Sequence, residues 1–267
     1  MKRDGHIHTP FCPHGSTDSF EMYIEKAIAS GFSTITFTEH APLPSNFFDP
    51  SPDQDSGMES IKLQKYFDTI ELLKKKYASQ IRILAGLEVD YIVGYEQETT
   101  AFLNEFGPQM DDAILSVHFL PLDDAYHCID FSDDVYIQFA KQIGSIEAMY
   151  NLYYNIVEQS ILSDLGPYKP KRIGHPTLIH KFQLTHNETI DDAAQIKHIL
   201  QLMHEHGYEL DVNSAGYEKP YCKEPYPPLP FIAYADDLGI PLVFGSDAHT
   251  ASGLHKHYEK IFPIQKG

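Results

Sequence analysis

His6 and His8 stand two residues apart in the run Asp4-Gly-His-Ile-His8. Residues two apart on a strand point to one face, so both imidazoles can grip one ion. Asp247 and His249 repeat the arrangement after Pro241-Leu-Val-Phe-Gly-Ser246, with a carboxylate in one of the two places. Between these pairs, His40 follows Ser33-Thr-Ile-Thr-Phe-Thr-Glu39 and Glu88 follows Ile81-Arg-Ile-Leu-Ala-Gly-Leu87. His118 follows Ala113-Ile-Leu-Ser-Val117, and His175 follows Arg172-Ile-Gly174. His14, in Thr9-Pro-Phe-Cys-Pro-His14, adds a third histidine close to the first pair. A single buried histidine is ordinarily a satisfied core residue, but a ligand-type residue at the end of nearly every apolar run is a pattern. Imidazole with carboxylate ligation suits zinc, iron or manganese. Glu88, with two carboxylate oxygens, can bridge two ions, and Asp90 shares its face and can orient a ligand. The chemistry expected of such a centre is metal-assisted hydrolysis.

Seven apolar runs must position these groups, at about 4–8, 34–38, 81–87, 113–118, 171–174, 208–213 and 241–246. They alternate with helical patterns, the signature of parallel α/β structure. Asp18 is placed to cap a helix carrying Phe20, Tyr23, Ile24, Ala27 and Ile28. Met58, Ile61, Phe67, Ile70 and Leu73 form a second stripe, and Ile146 to Val157 a third. A fourth helix opens at Asp191 and stops at Gly207, and a short one spans about 230–238. Ligand-type residues at strand ends are how a barrel builds its site. The expectation is one barrel domain over residues 1–267, with the metals at the C-terminal ends of its strands. Two proline-rich segments, Ala41 to Gly57 and Tyr217 to Pro230, read as loops across that face.

The balance of 20 Lys+Arg against 38 Asp+Glu gives a formal charge of −18. Such a chain repels a polyanion, so extended nucleic-acid binding is disfavoured. A small anionic ester is not, because mostly neutral imidazole ligands around divalent ions leave a locally positive pocket. No run is long enough for a membrane span, and Met1-Lys-Arg-Asp-Gly-His begins no signal peptide. A candidate ligand at position 6 places the mature N-terminus close to the first residue. Three cysteines, Cys12, Cys128 and Cys222, without CxxC spacing point away from disulfides and toward the cytoplasm. Nothing in the chain speaks to oligomeric state.

Taken in order, the HxH pair, Thr38-Glu-His40-Ala-Pro-Leu-Pro44, Gly86-Leu-Glu-Val-Asp-Tyr91, Ser116-Val-His118, Ile173-Gly-His175 and Gly245-Ser-Asp-Ala-His249 resemble the PHP (polymerase and histidinol phosphatase) superfamily. Glu39-His-Ala-Pro-Leu-Pro44, Ile114-Leu-Ser-Val-His-Phe-Leu120 and Asp211-Val-Asn-Ser-Ala-Gly216 are similar to its stand-alone histidinol-phosphate phosphatases. The resemblance runs from residue 4 to about 250. It implies a distorted (β/α)7 barrel, in agreement with the seven runs counted above. It also implies a division of ligands among two or three divalent ions. His6, His8, Glu88 and Asp247 would hold the first, Glu88 with His118 and His175 the second, and His14, His40 and His249 the third.

The activity so implied is hydrolysis of L-histidinol phosphate to L-histidinol and phosphate in histidine biosynthesis. A PHP-type nucleotide phosphatase or nuclease acting on another phosphoester is the alternative. Asp247 and His249 are placed to help the leaving group. Lys219 and Arg172 are candidates for holding phosphate, and Asn213, at a strand end without a ligand, for touching substrate. The acidic stretch Asp49 to Asp55 could complement a cationic substrate, though solvated surface accounts for it equally. His255 and His257 are secondary substrate candidates. His180, His186, His198, His204 and His206 read as surface histidines.

Overall fold

The computed structural model of the protein describes residues 1–263. Its strands are β1 (Arg3–Ile7), β2 (Thr34–His40), β3 (Arg82–Asp90), β4 (Asp112–Ser116), β5 (Phe119–Leu122), β6 (Ala125–Cys128), β7 (Arg172–Ile173), β8 (Glu209–Asn213) and β9 (Leu242–Gly245). The helices are α1 (Phe20–Ala29), α2 (Leu63–Tyr77), α3 (Glu96–Phe106), α4 (Asp133–Ile143), α5 (Ile146–Leu162), α6 (Ala193–Glu205), α7 (Leu229–Asp237) and α8 (Tyr258–Ile261). Seven strands pair in parallel in the order β1-β2-β3-β4-β7-β8-β9. The sheet curls so that its two edges meet. Ile7 bridges Ala248, His8 N donates to Ala248 O at 3.1 Å, and Asp247 N donates to His6 O at 2.8 Å. This is the distorted seven-stranded α/β barrel, closed at one end by the residues that carry the first and last ligand pairs.

The strands are apolar almost throughout because helices cover the outside and side chains fill the inside. In β3 every residue after Arg82 is buried. α1 buries Phe20, Tyr23, Ile24 and Ala27, one stripe at helical spacing. Its cap is Ser19, whose side chain accepts from Met22 N, rather than Asp18. Asp18 instead accepts from Ala251 N at 2.8 Å and ties α1 to the loop after β9. α2 starts at Leu63, and Ile61 points to solvent, outside the stripe expected of it. Asp192 occupies the N-cap position of α6 without a side-chain cap bond, while Asp191 Oδ1 accepts from Ala193 N at 3.3 Å. The strand expected at 34–38 runs on to His40, while that expected at 113–118 stops at Ser116 and leaves His118 just beyond it.

Besides the one-turn α8, three elements have no counterpart in the sequence expectations. α3 buries only Thr99 and Leu103, too little for an apolar stripe. α4 is capped by Ser132 and buries Tyr136, Phe139 and Ala140. The antiparallel hairpin β5–β6 packs Phe119 and Cys128 with Phe47 and Ile92, and so pins the first proline-rich loop to the barrel.

Arg172 corrects another expectation. It begins β7, at the opposite end of the barrel from the histidines, and is wholly buried. Nη2 donates to Gly5 O and to Asp112 Oδ2, each at 2.8 Å, while Arg3 and Thr36 donate to the same Asp112 oxygen. The close approach requires Gly5, where a Cβ would lie 2.7 Å from Arg172 Nη1. Arg172 therefore plugs the barrel floor and cannot hold a substrate phosphate. Among the described residues, no helix is long and apolar enough to cross a membrane.

Candidate metal centre

Glu88, near the C-terminal end of β3, is the hub of the site. Its Oε2 lies 3.3 Å from His6 Nε2, 3.5 Å from His8 Nε2 and 3.2 Å from His40 Nδ1. Oε1 lies 2.9 Å from His175 Nε2 and 3.7 Å from His118 Nε2, and accepts from Ser116 Oγ at 2.7 Å. One carboxylate oxygen thus faces each group of imidazoles. Asp247 completes the first group, with Oδ1 3.0 Å from His8 Nε2 and 3.7 Å from His6 Nε2.

These spacings fit divalent ions. Two ligand atoms each about 2.1 Å from a tetrahedral ion sit roughly 3.4 Å apart, the middle of the range observed. Several of the contacts are also poor hydrogen bonds. His6 Nε2, His8 Nε2, His40 Nδ1 and His249 Nε2 are buried and have no hydrogen-bond partner, a state that costs free energy unless something fills it. His6, His8 and Asp247 form one cluster of potential ligand atoms, and Glu88, His118 and His175 another. A third comprises His8, Cys12, His40 and His249. His14 lies at the mouth, its ring 5.1 Å from those of His40 and His249, with Nδ1–H donating to Asp55 O at 3.0 Å. In the tight cluster Cys12, read from the sequence as a free thiol, stands where His14 was expected.

Behind the imidazoles stand carboxylates that fix their orientation. His6 Nδ1 donates to Asp211 at 2.9 Å, His8 Nδ1 to Glu39 at 3.3 Å and His118 Nδ1 to Asp90 at 2.7 Å. Each leaves Nε2 as the lone pair aimed inward, the arrangement of a carboxylate–histidine–metal triad. The Asp90 role follows from strand alternation. Asp211 and Glu39 were missed, because neither is the last residue of its strand and their partners lie 205 and 31 residues away. Replacing Asp211 with Asn should lower metal affinity about 10–100-fold without unfolding the barrel. Chelator competition measures this, and an unchanged affinity would remove Asp211 from the account.

The charges press the same way. Burial opposes protonation of His8, yet Asp247 and Glu39 push it up to about 9. Burial is likewise overcome at His118 by Asp90 and Glu88, which raise it to about 10. Glu88 and Asp247 are held well below the usual carboxylate range, against burial, by the surrounding imidazoles. Carboxylates so placed demand positive charge, and divalent ions supply it in place of protons. The backbone is strained at two of these residues, with φ +24° at His175 and +51° at Asp247, as happens where function holds a side chain in place.

The cluster floors a cavity of about 580 Å³. Ser51, Asp53 and Asp55 of the first proline-rich loop and Glu218, Lys219 and Tyr226 of the second line its walls, with Lys181 and Lys256. Both loops therefore cross the strand ends as expected. Lys219 faces the cavity. Asn213 does not offer a free amide: Nδ2 donates to Asp211 and Asp247 at 3.2 Å, and Oδ1 accepts from Ala215 N. It positions Asp247 and is occupied by doing so. His255 is turned away, stacked on Phe32 and bonded to Asp4 at 2.9 Å, and His257 pairs with Glu218. His180 is no surface residue. It is buried between Asp192 (2.7 Å) and Glu224 (2.9 Å), which raise it to about 9 against the effect of burial.

Comparison with known proteins adds to this geometry. A family model describing the PHP domain matches residues 4–215. A histidinol-phosphatase of Bacillus subtilis is 47% identical over 261 residues, 97% of both chains. The HisK structure from Listeria monocytogenes superposes with a TM-score of 0.91 at 42% identity, covering 97% of this chain and 99% of its own. A histidinol phosphate phosphatase from Lactococcus lactis, solved with zinc, L-histidinol and phosphate, shares the fold (TM-score 0.72, 21% identity, 98% and 92% coverage).

Proposed function

Since the chain belongs to the PHP domain family, we propose that it is a metal-dependent phosphomonoesterase that hydrolyses L-histidinol phosphate to L-histidinol and phosphate, a step of histidine biosynthesis. The reaction class rests on one observation: Glu88 offers one oxygen to each of two imidazole groups at the floor of a cavity. The choice of substrate is supported by the near-full-length likeness to the Bacillus histidinol-phosphatase. The whole chain acts as one barrel domain in the cytoplasm on a small-molecule ester.

Two or three divalent ions, zinc, iron or manganese, would be held by His6, His8, His14, His40, Glu88, His118, His175, Asp247 and His249. Bound there, they would lower the pKa of a water and offset phosphoryl charge. The remaining work falls to the chain. Glu39, Asp90 and Asp211 accept from three imidazole Nδ1–H groups and keep each Nε2 aimed inward. Asn213 Nδ2–H donates to Asp247 Oδ2 and holds the other oxygen toward His8. His249 Nδ1–H donates to Asp247 O at 3.2 Å, which leaves Nε2 as a lone pair. His249 therefore suits ligation better than proton donation in this state. Asp247, ionised and at the cavity wall, is the group placed to take the proton of the attacking water as the new P–O bond forms and to pass it to the leaving alkoxide as the ester P–O bond breaks. Cavity walls on both sides align phosphorus with that water. At the rim, Asp53 and Asp55 favour the cationic amine and imidazole of the substrate and disfavour a polyanionic strand.

The test is phosphate release by metal-loaded protein from L-histidinol phosphate, nucleoside monophosphates, sugar phosphates and an aryl phosphate. Preference for L-histidinol phosphate by orders of magnitude in kcat/KM is expected, with activity abolished by chelation. Equal, slow cleavage of every ester would leave the metal chemistry and remove the substrate.

A further inference from the structure

Opposite the imidazoles, the cavity wall carries groups that the metal centre does not use. Tyr226 is 1% exposed, and its hydroxyl has no hydrogen-bond partner. The Cys222 thiol lies beside it, but its Sγ–H donates to Glu224 O, and a thiol is a weak acceptor. The residue cannot swing out to find water. Its N donates to Asn213 O at 2.8 Å and its O accepts from Asn213 N at 2.9 Å, which locks the loop to the end of β8. Its ring packs on Gly216, where a Cβ would come within 2.9 Å. The His175 ring sits edge-on at 6.4 Å. A buried hydroxyl held this firmly without a partner is expected to have one in the working state.

Two ammonium groups share the wall. Lys181 Nζ donates to Asp130 O at 2.5 Å and Oδ2 at 2.9 Å, which anchors it. Lys219 is half-buried and enters no ion pair among the described residues. Burial first and Lys181 next lower its pKa, against the more distant pull of Asp247 and Asp130. In a chain of net charge −18, an amine left unpaired beside another amine is an invitation to an anion. A tetrahedral oxyanion lying on the metal floor would present its remaining oxygens to this wall.

We propose that Tyr226 and Lys219, backed by Lys181, form a metal-independent half of the phosphate site, with the Tyr226 hydroxyl donating to one phosphoryl oxygen and the Lys219 ammonium to another. The assignment rests on the phosphomonoesterase reading above and deepens it. Burial pushes the Tyr226 phenol well up, so it stays a donor and does not ionise beside the anion. The arrangement places specificity for the phosphoryl group on the second proline-rich loop and leaves the first for the organic part of the substrate.

Inorganic phosphate is the probe. Its inhibition constant and calorimetric affinity are measured for metal-loaded wild type, Tyr226→Phe and Lys219→Gln, alongside metal content and L-histidinol affinity. Each substitution should weaken phosphate about tenfold or more, with metal content and L-histidinol affinity unchanged. The near-isosteric phenylalanine keeps the ring packing, and the glutamine variant tests the wall independently of it. Phosphate affinity unchanged in both variants would overturn the assignment, as would loss of L-histidinol affinity with phosphate retained. Because the probe is inorganic phosphate, a positive result stands even if another monoester proves to be the substrate.

Discussion

Glu88→Ala is expected to lower phosphatase activity by at least about 10³-fold and to strip metal from two positions at once. The reason is geometric. Glu88 Oε2 faces His6, His8 and His40, and Oε1 faces His118 and His175. No other carboxylate among the described residues stands between the two groups, so neither is complete without it. His14→Ala removes a residue at the mouth whose other nitrogen is bonded to Asp55 O, and should cost less metal. Elemental analysis of the two variants, purified alike, reads the difference. Equal metal loss from both would undo the bridging role. The fold should survive, because the apolar barrel core surrounds but does not depend on the ligands.

The second large effect lies at the other end of the barrel. Asp112→Asn should destabilise the protein by about 3–5 kcal/mol, which for a domain of this size lowers Tm by roughly 10 °C. Arg172 is wholly buried and its guanidinium is neutralised by Asp112 alone, with Gly5 O as a neutral acceptor. Removing the carboxylate strands that charge. Arg172→Met should cost less, since Asp112 keeps Arg3 and Thr36. Asp112 is held below its ordinary pKa, against burial, by Arg172 and then Arg3. The folded state thus binds its proton less readily than the unfolded chain. Its contribution is full above the unfolded value near 4 and is lost as pH falls through the depressed folded value. Thermal melts of wild type and Asp112→Asn should therefore converge as the pH is lowered below about 4. A gap that persists there would assign the effect to packing.

The convergence of the candidate ligands was legible because a barrel places its chemistry at strand ends and a strand's period of two needs no tertiary knowledge. The pairing of His6 with His8 and of Asp247 with His249 follows from spacing alone, as does the face that Asp90 shares with Glu88, whereas its partner His118 is set by the fold. The place of Cys12 beside His8, His40 and His249 was not legible, since a loop residue's direction is not encoded in its neighbours. Lys181, Asp130 and Tyr226 gave no signal. A lysine next to a histidine, or a tyrosine among prolines, looks the same whether it lines a cavity or faces water. Arg172 misled for the same reason, as three residues from His175 along the chain it points to the opposite end of the barrel.

What the residues by themselves determined is the periodicity: seven buried strands, five of the helices, the candidate ligands at the strand ends and a net charge hostile to polyanions. What only the tertiary structure decided is every relation between distant segments. Closure of β1 against the end of β9 joins the first and last ligand pairs. Asp211 is delivered to His6, Arg172 is sunk into the floor against Asp112, and His180 is trapped between Asp192 and Glu224. Local pattern reports which face of an element is buried, because that is a property of one chain segment in water. Which partner it is buried against depends on how the sheet twists and closes, a free energy shared by the whole molecule.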